Sequence, residues 1–255
     1  MKNILLICRK ELNAYFASPI AYLLMAFFAL IFGYVLFNAT RDFIRFGFQA
    51  QLQGGEFPMS INDRIISPLL GFSSTITLFL VPMITMRLFA EEKRSGTIEL
   101  LLTSPVTDSE IIVGKWLGAM LLFLCILVMS MLNVALLFAW GKPDIKPVLV
   151  AYLGLILQGG CLLAVGEFIS TTTKNQIISG GVTFFVCLLL WLLSWSTAND
   201  TGAIYQVMNY LSIVTHFDNF AKGVIETKDV IFYLSMIFFA LFVTTRAMES
   251  VRWRA

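Results

Sequence analysis

Histidine is almost missing from this chain: His216 stands alone among 255 residues. That excludes a histidine-built metal centre and the His-Glu-x-x-His arrangement of metalloproteases. The four cysteines, Cys8, Cys125, Cys161 and Cys187, lie far apart in apolar or amphipathic runs with no Cys-x-x-Cys. They read as small hydrophobes, not as a disulfide frame or a metal site. No Gly-x-x-x-x-Gly-Lys-[Ser/Thr] phosphate loop is present: Gly114-Lys115 and Gly141-Lys142 lack the upstream glycine and the following hydroxyl. A Gly-x-Ser-x-Gly elbow is also absent. The sequence therefore predicts no enzyme and no cofactor held by this chain. Charge is scarce too. Only 13% of residues are charged, about half the ~25% of globular domains. A net charge of +2 gives no electrostatic footprint for nucleic acid.

What fills the chain is apolar. Hydrophobic residues make up 58% and the mean hydropathy is +0.82, the composition of an integral membrane protein. The expected fold is all-α, with six transmembrane helices, an N-terminal amphipathic interfacial helix and a cytoplasmic coupling helix.

Residues 1–17 are expected to form an elbow helix. Ile4, Leu5, Cys8, Leu12, Tyr15 and Phe16 share one face and Lys2, Arg9, Lys10 and Asn13 the other, which suits a helix lying in the headgroup region. Lys2, Arg9, Lys10 and Glu11 interrupt this stretch too early for a cleavable signal peptide. The six-span domain is expected over 18–255. Its spans are Ile20–Phe37, Ile65–Thr85, Trp116–Trp140, Val148–Ile169, Ile177–Trp195 and a last one beginning at Asp229–Thr245. Asn38–Arg64 reads as a polar outer loop. Gln158-Gly159-Gly160 reads as a break in the fourth span, and Pro82 as a kink late in the second. The last span is short for a bilayer, so it is expected to extend N-terminally or to be entered through a re-entrant segment within 196–228, with Leu211–Val224 as the candidate short helix. With both termini cytoplasmic, the inner segments carry eleven Lys and Arg and the outer ones seven, a modest inward bias.

The most informative stretch is Met86–Lys115, a charged insert between two apolar spans. Its coupling segment, 87–110, has the design of a compact element. Gly96 permits a turn, Thr97–Thr103 reads as a short helix with Ile98, Leu101 and Leu102 on one face, Pro105 stops it, and Thr107-x-x-Glu110 offers a capping box for the next helix. The three apolar residues need cover, which a partner's groove supplies, with charged residues as its rim. Elsewhere, Glu167 is the carboxylate nearest a membrane interior. It reads as an interfacial group near a cytoplasmic end, with Lys174 on nearly the same face, or as a candidate for a translocation path. His216 reads as an interfacial or loop residue.

Glu91–Val106 (EEKRSGTIELLLTSPV) resembles the cytoplasmic coupling segment of ABC-2-type ABC-transporter permeases. Gly114–Leu117, Glu167–Gln176, and His216–Ile225 with Asp229 resemble further stretches of that family in the same order, the last of them closest to its gliding-motility-associated branch. The resemblance implies a permease without ATPase motifs, in a complex of two permease copies and two ATPase subunits that bind ATP and Mg. It implies a place in the bacterial inner membrane and export as the direction. In the gliding-motility branch it implies a further membrane partner with a large outer domain. It implies that Glu91, Glu92, Gly96, Thr97, Glu99 and Leu101 form the ATPase contact, Gly96 setting the turn, Leu101 filling a groove and the carboxylates pairing with basic groups. Two other readings remain open: a membrane scaffold that transmits ATPase work to an envelope partner, and a stand-alone channel or secondary transporter. The cargo is not written in the sequence.

Overall fold

A computed structural model of the chain describes residues 2–52, 60–99, 103, 105–141, 143–196 and 202–252. It is all helical among these residues, with α1 at Lys2–Ala17 and α2 at Pro19–Leu52, followed by a π-helical turn at Asn62–Ile66 that runs into α3 at Ser67–Thr85. The short α4, Ala90–Ser95, precedes α5, Asp108–Trp140, and α6, Ile145–Thr172. Then come α7, Gln176–Ser196, two short helices α8, Ala203–Leu211, and α9, Ile213–Ala221, and finally α10, Thr227–Arg252. Six helical stretches among the described residues are long and apolar enough to cross a membrane, beginning at Pro19, Asn62, Asp108, Ile145, Gln176 and Thr227.

The interior is formed by α3 and α6, whose apolar windows are 67% buried, while those of α2 and α7 are 22% and 17% buried. Small residues let helices close in. A Cβ on Gly159 of α6 would lie 2.1 Å from the Phe123 ring of α5, and one on Gly166 would lie 2.4 Å from Thr85 Oγ1 of α3. The expected break at Gln158–Gly160 is therefore corrected. Helix α6 runs through it unbroken, because these glycines serve close packing and Trp116 Nε1 donates to the Gly160 carbonyl at 3.0 Å.

Two further expectations, on the lengths of α2 and of the last span, change. Residues 38–52 are not loop but the continuation of α2, whose 34 residues span about 51 Å against a hydrocarbon core of ~30 Å. Their polar groups bond back along the helix: Asn38 Nδ2 donates to the Tyr34 carbonyl and Thr40 Oγ1 to that of Leu36. The last span gains its length at the C-terminal side, since α10 continues through the basic stretch to Arg252. Helix α3 carries Pro82 within it and goes on to Thr85, with the Pro82 carbonyl accepting from Met86 N–H. The expected short helix within 211–224 is present as α9. It is covered by protein, with Ile213, His216, Phe217 and Phe220 buried against α3, α6 and α7. His216 is thus a buried residue, not a loop histidine.

At the turn between α5 and α6, Asn62 ties in the π-helical turn. Its side-chain amide donates to the Asp144 carbonyl and accepts from the Asp144 N–H, both at 2.9 Å.

Candidate functional site

The charged insert folds into a corner beneath α3. Residues Met86–Phe89 turn, α4 follows, and Gly96 closes it in the left-handed conformation with φ 73°, the backbone that glycine adopts without strain. Ile98 and Glu99 are again helical, and Thr103 N–H bonds to the Glu99 carbonyl at 3.0 Å. Helix α5 then starts on the expected capping box: Thr107 Oγ1 accepts from Glu110 N–H, and Glu110 Oε2 accepts from Thr107 N–H, each at 3.3 Å. Asn3 of α1 adds a donor to the same Glu110 oxygen at 3.1 Å.

The centre of the corner is Lys115, 1% exposed. Its Nζ lies 2.8 Å from Glu11 Oε1 of α1 and 2.9 Å from Glu92 Oε1 of α4. It also donates to the Leu88 carbonyl at 2.7 Å and sits 5.0 Å from the centroid of the Phe89 ring. Three helices and the turn thus meet on one ammonium group. A buried cation with two carboxylates and a carbonyl is satisfied, and removing any partner leaves a desolvated charge. Close approach makes this possible: a Cβ on Gly118 of α5 would lie 2.7 Å from Glu11 Cβ, and one on Gly114 would lie 2.8 Å from Ile7 Cβ.

Around this centre, α1 is packed on protein along Cys8, Glu11 and Tyr15, all buried, while Leu5 and Leu6 are 68% and 65% exposed. Part of the face expected in the headgroups therefore lies against α5. Tyr15 donates to the Ile84 carbonyl at 2.9 Å, and the Arg87 guanidinium lies 4.9 Å over its ring. Burial, and then the charge of Glu11, pushes the Tyr15 hydroxyl far above its ordinary range, so it remains a donor. The same two causes push the Cys8 thiol up. On the other side the corner holds α6. Ser170 Oγ accepts from the N–H groups of Phe89 and Ala90 at 3.0 and 3.2 Å, and Lys93 Nζ donates to the Thr171 carbonyl.

The residues singled out in the sequence separate into two groups. Glu91, Gly96, Thr97 and Glu99 are exposed and form a polar outer surface. Glu92 turns inward to Lys115 and also takes an ion pair from Lys10 at 3.1 Å. Leu101 and Leu102 lie outside the described residues. Ile98 needs no partner's groove, because it is 9% exposed and belongs to the chain's own core. The Glu167 reading is corrected. It is 0% exposed, so it is no interfacial group, and Lys174 lies past the end of α6 and is exposed. Neither carboxylate oxygen of Glu167 has a hydrogen-bond partner among the described residues; the charges it feels are those of Lys115 and Glu11.

Sequence reasoning passed over Lys115 and Glu11. A signal existed: Glu11 falls on the same helical stripe as Ile4, Cys8 and Tyr15, and a carboxylate on an apolar stripe needs a cation.

On the flank of the bundle, α2, α3 and α7 enclose a cleft of about 750 Å³ lined by apolar side chains, among them Phe27, Phe72, Phe79, Met83 and Phe184.

Residues 5–245 match the profile of the ABC-2 family transporter proteins. Over 164 residues the chain is 23% identical to the "Probable multidrug ABC transporter permease YbhR" of Escherichia coli strain K12, and equally to the protein of that name in E. coli O157:H7. The alignments cover 63% of this chain and 43% of each relative, so the chain spans less than half the length of these curated relatives. A profile running from the elbow helix into the last span, on six membrane-length helices, makes this chain a member of the ABC-2 transporter family.

Proposed function

We propose that the chain is the transmembrane permease subunit of an ATP-driven ABC exporter, with 87–110 as the segment that receives the stroke of a separate ATPase subunit. One observation carries this reading. Glu92 of α4 and Glu11 of α1 share the buried Lys115 of α5, while Ser170 and Thr171 of α6 hold the other side of the same corner. A push on the corner therefore displaces α1, α5 and α6 together. The exposed carboxylates Glu91 and Glu99, with Gly96 and Thr97 beside them, supply the surface for docking, and Leu101 belongs to the same contact. Glu92 serves transmission and not contact.

In this reading ATP and Mg bind the ATPase, two permease copies act with two ATPases in the bacterial inner membrane, and both termini are cytoplasmic. Assignment to the gliding-motility-associated branch, with its auxiliary outer-domain partner, rests on His216–Ile225 and is part of the proposal. The apolar cleft between α2, α3 and α7 favours hydrophobic or amphiphilic cargo, in keeping with the word multidrug in the relatives' name.

The test is gentle purification from native membranes followed by mass spectrometry. The expected result is a stoichiometric ATPase that is lost in Glu91→Arg/Glu99→Arg and in Leu101→Asp while the permease stays in the membrane. A chain that comes alone, even after crosslinking from Thr97, overturns the reading in favour of a channel or secondary transporter.

A further inference from the structure

The end of the bundle away from the corner holds a second buried polar cluster that the coupling scheme does not use. His216 of α9 and Asp229 in the first turn of α10 have side chains 4% and 0% exposed. His216 Nδ1 lies 2.6 Å from Asp229 Oδ1, and Nε2 lies 2.8 Å from the Tyr210 carbonyl oxygen of α8. Asn219 Nδ2 donates to the other Asp229 oxygen at 2.8 Å. The imidazole is stacked on Phe232 at 4.0 Å between centroids, with the Tyr210 ring edge-on at 5.4 Å. Three helices thus converge on one ring.

Counting protons decides what this arrangement requires. A backbone carbonyl only accepts, and a neutral imidazole has a single N–H. Whichever nitrogen holds that hydrogen, the other sets its lone pair against an oxygen, either the carbonyl at 2.8 Å or the carboxylate at 2.6 Å. Both contacts are attractive only when one more proton lies in the site, between Nδ1 and Oδ1. The pair is then neutral overall, as burial demands.

We propose that His216 and Asp229 form a proton-binding site that latches α8 to the rest of the bundle. When the proton leaves, the charge-assisted bond to Asp229 is the stronger of the two to keep. The surviving hydrogen stays on Nδ1, and the Tyr210 carbonyl faces a lone pair. Besides its bond from the imidazole, α8 is tied to α9 by Thr215 Oγ1 donating to Asn209 Oδ1 at 2.9 Å, rests the Tyr210 ring edge-on against Phe232 at 5.7 Å and packs on α7. Of these holds, the bond from the imidazole to the Tyr210 carbonyl is the one that depends on the proton. Helix α9 stays seated: a Cβ on Gly154 of α6 would lie only 2.5 Å from Phe220 Cβ, and Gly223, with φ 79°, lies against Pro147. Loss of the proton therefore loosens α8 and leaves α9 in place.

A cavity of about 250 Å³ beside the pair, lined also by Gln206, Asn209, Thr215, Asn219 and Lys228, gives it a route to solvent. The charged neighbours are few. Lys228 is paired with Glu226 at 2.5 Å, and Asp218 and Lys222 flank the pair on and just after α9. Helices α3, α7 and α8 contain no charged residue, and α6 contains only Lys146 and the distant Glu167.

Because His216 is the chain's only histidine, ¹⁵N-histidine labelling of the full chain in lipid nanodiscs yields a single imidazole spectrum. In acid, both ring nitrogens are expected to be protonated, or one to share its proton with Asp229, and the amides of 206–211 to be protected from exchange. As pH rises and the ring becomes neutral, exchange at 206–211 is expected to increase about tenfold beyond its intrinsic pH dependence, with 213–221 unchanged. Asp229→Asn is expected to abolish that coupling. Equal protection of 206–211 on both sides of the imidazole titration overturns the proposal, as does a neutral ring in acid with α8 fully protected. Should Asp229→Asn not fold, the wild-type titration decides by itself.

Discussion

The two ends of α6 are held by different chemistry. Near Ser170 the corner is tied by permanent charges, with Lys115 between Glu11 and Glu92. Near Pro147, about 35 Å away along the helix, α9 is held by close carbon packing, and α8 by a histidine–aspartate pair whose contacts depend on a proton. The first is a strut that holds as long as the fold persists. The second is a fastening that one proton releases.

The largest test of the comparison is removal of the strut. Lys115→Met leaves Glu11 and Glu92 with only the exposed Lys10 as a cation and is expected to cost about 3 kcal/mol, read from unfolding in detergent or lipid. Adding Glu11→Gln and Glu92→Gln should recover most of that. Cys8, buried and with its thiol pushed up, is expected to react slowly with maleimide in a chain whose other cysteines are replaced, and quickly once Lys115→Met frees α1. An unchanged stability and an unreactive Cys8 would show that the corner is held by packing, as the other end is.

Next in size are the glycines. Gly159→Ala and Gly166→Ala drive a methyl into Phe123 and Thr85 and are expected to cost roughly 1–3 kcal/mol each. Gly33→Ala on α2, with nothing within 4 Å, should be neutral or stabilising by up to ~1 kcal/mol. Equal effects at all three sites would mean that α6 is not closely packed. Thr107→Ala removes the α5 cap and should cost about 1 kcal/mol, shown by earlier melting and faster exchange over 108–111. Smallest of all, Glu91→Gln and Glu99→Gln should change stability by less than ~0.5 kcal/mol while lowering ATPase retention on purification. A large stability loss there would move these carboxylates from the docking surface to the strut.

Much of the fold could be read in the chain because membrane insertion is a local property. Runs of apolar residues, the capping box at Thr107 and the positive-φ Gly96 each state their role within a few positions. The misreadings have a common cause. Asn38–Leu52 is polar enough for a loop, yet it forms helix because its side chains bond one turn back. Gln158–Gly160 carries breaker residues, yet it stays helical because Phe123 fills the space they leave. Ile98 looked exposed because its cover is this chain's own core. Glu91, Gly96, Thr97 and Glu99, proposed above for docking, were legible as surface, whereas the inward turn of Glu92 was not.

Hydropathy, glycine and proline placement and capping by themselves determined an all-helical membrane chain with six spans and a folded polar corner. Only the tertiary structure decided which charges are buried together. Glu11 and Lys115 are 104 residues apart, His216 and Asp229 lie on different helices, and the free energy of a buried ion depends on what surrounds it in space, not on its neighbours in sequence.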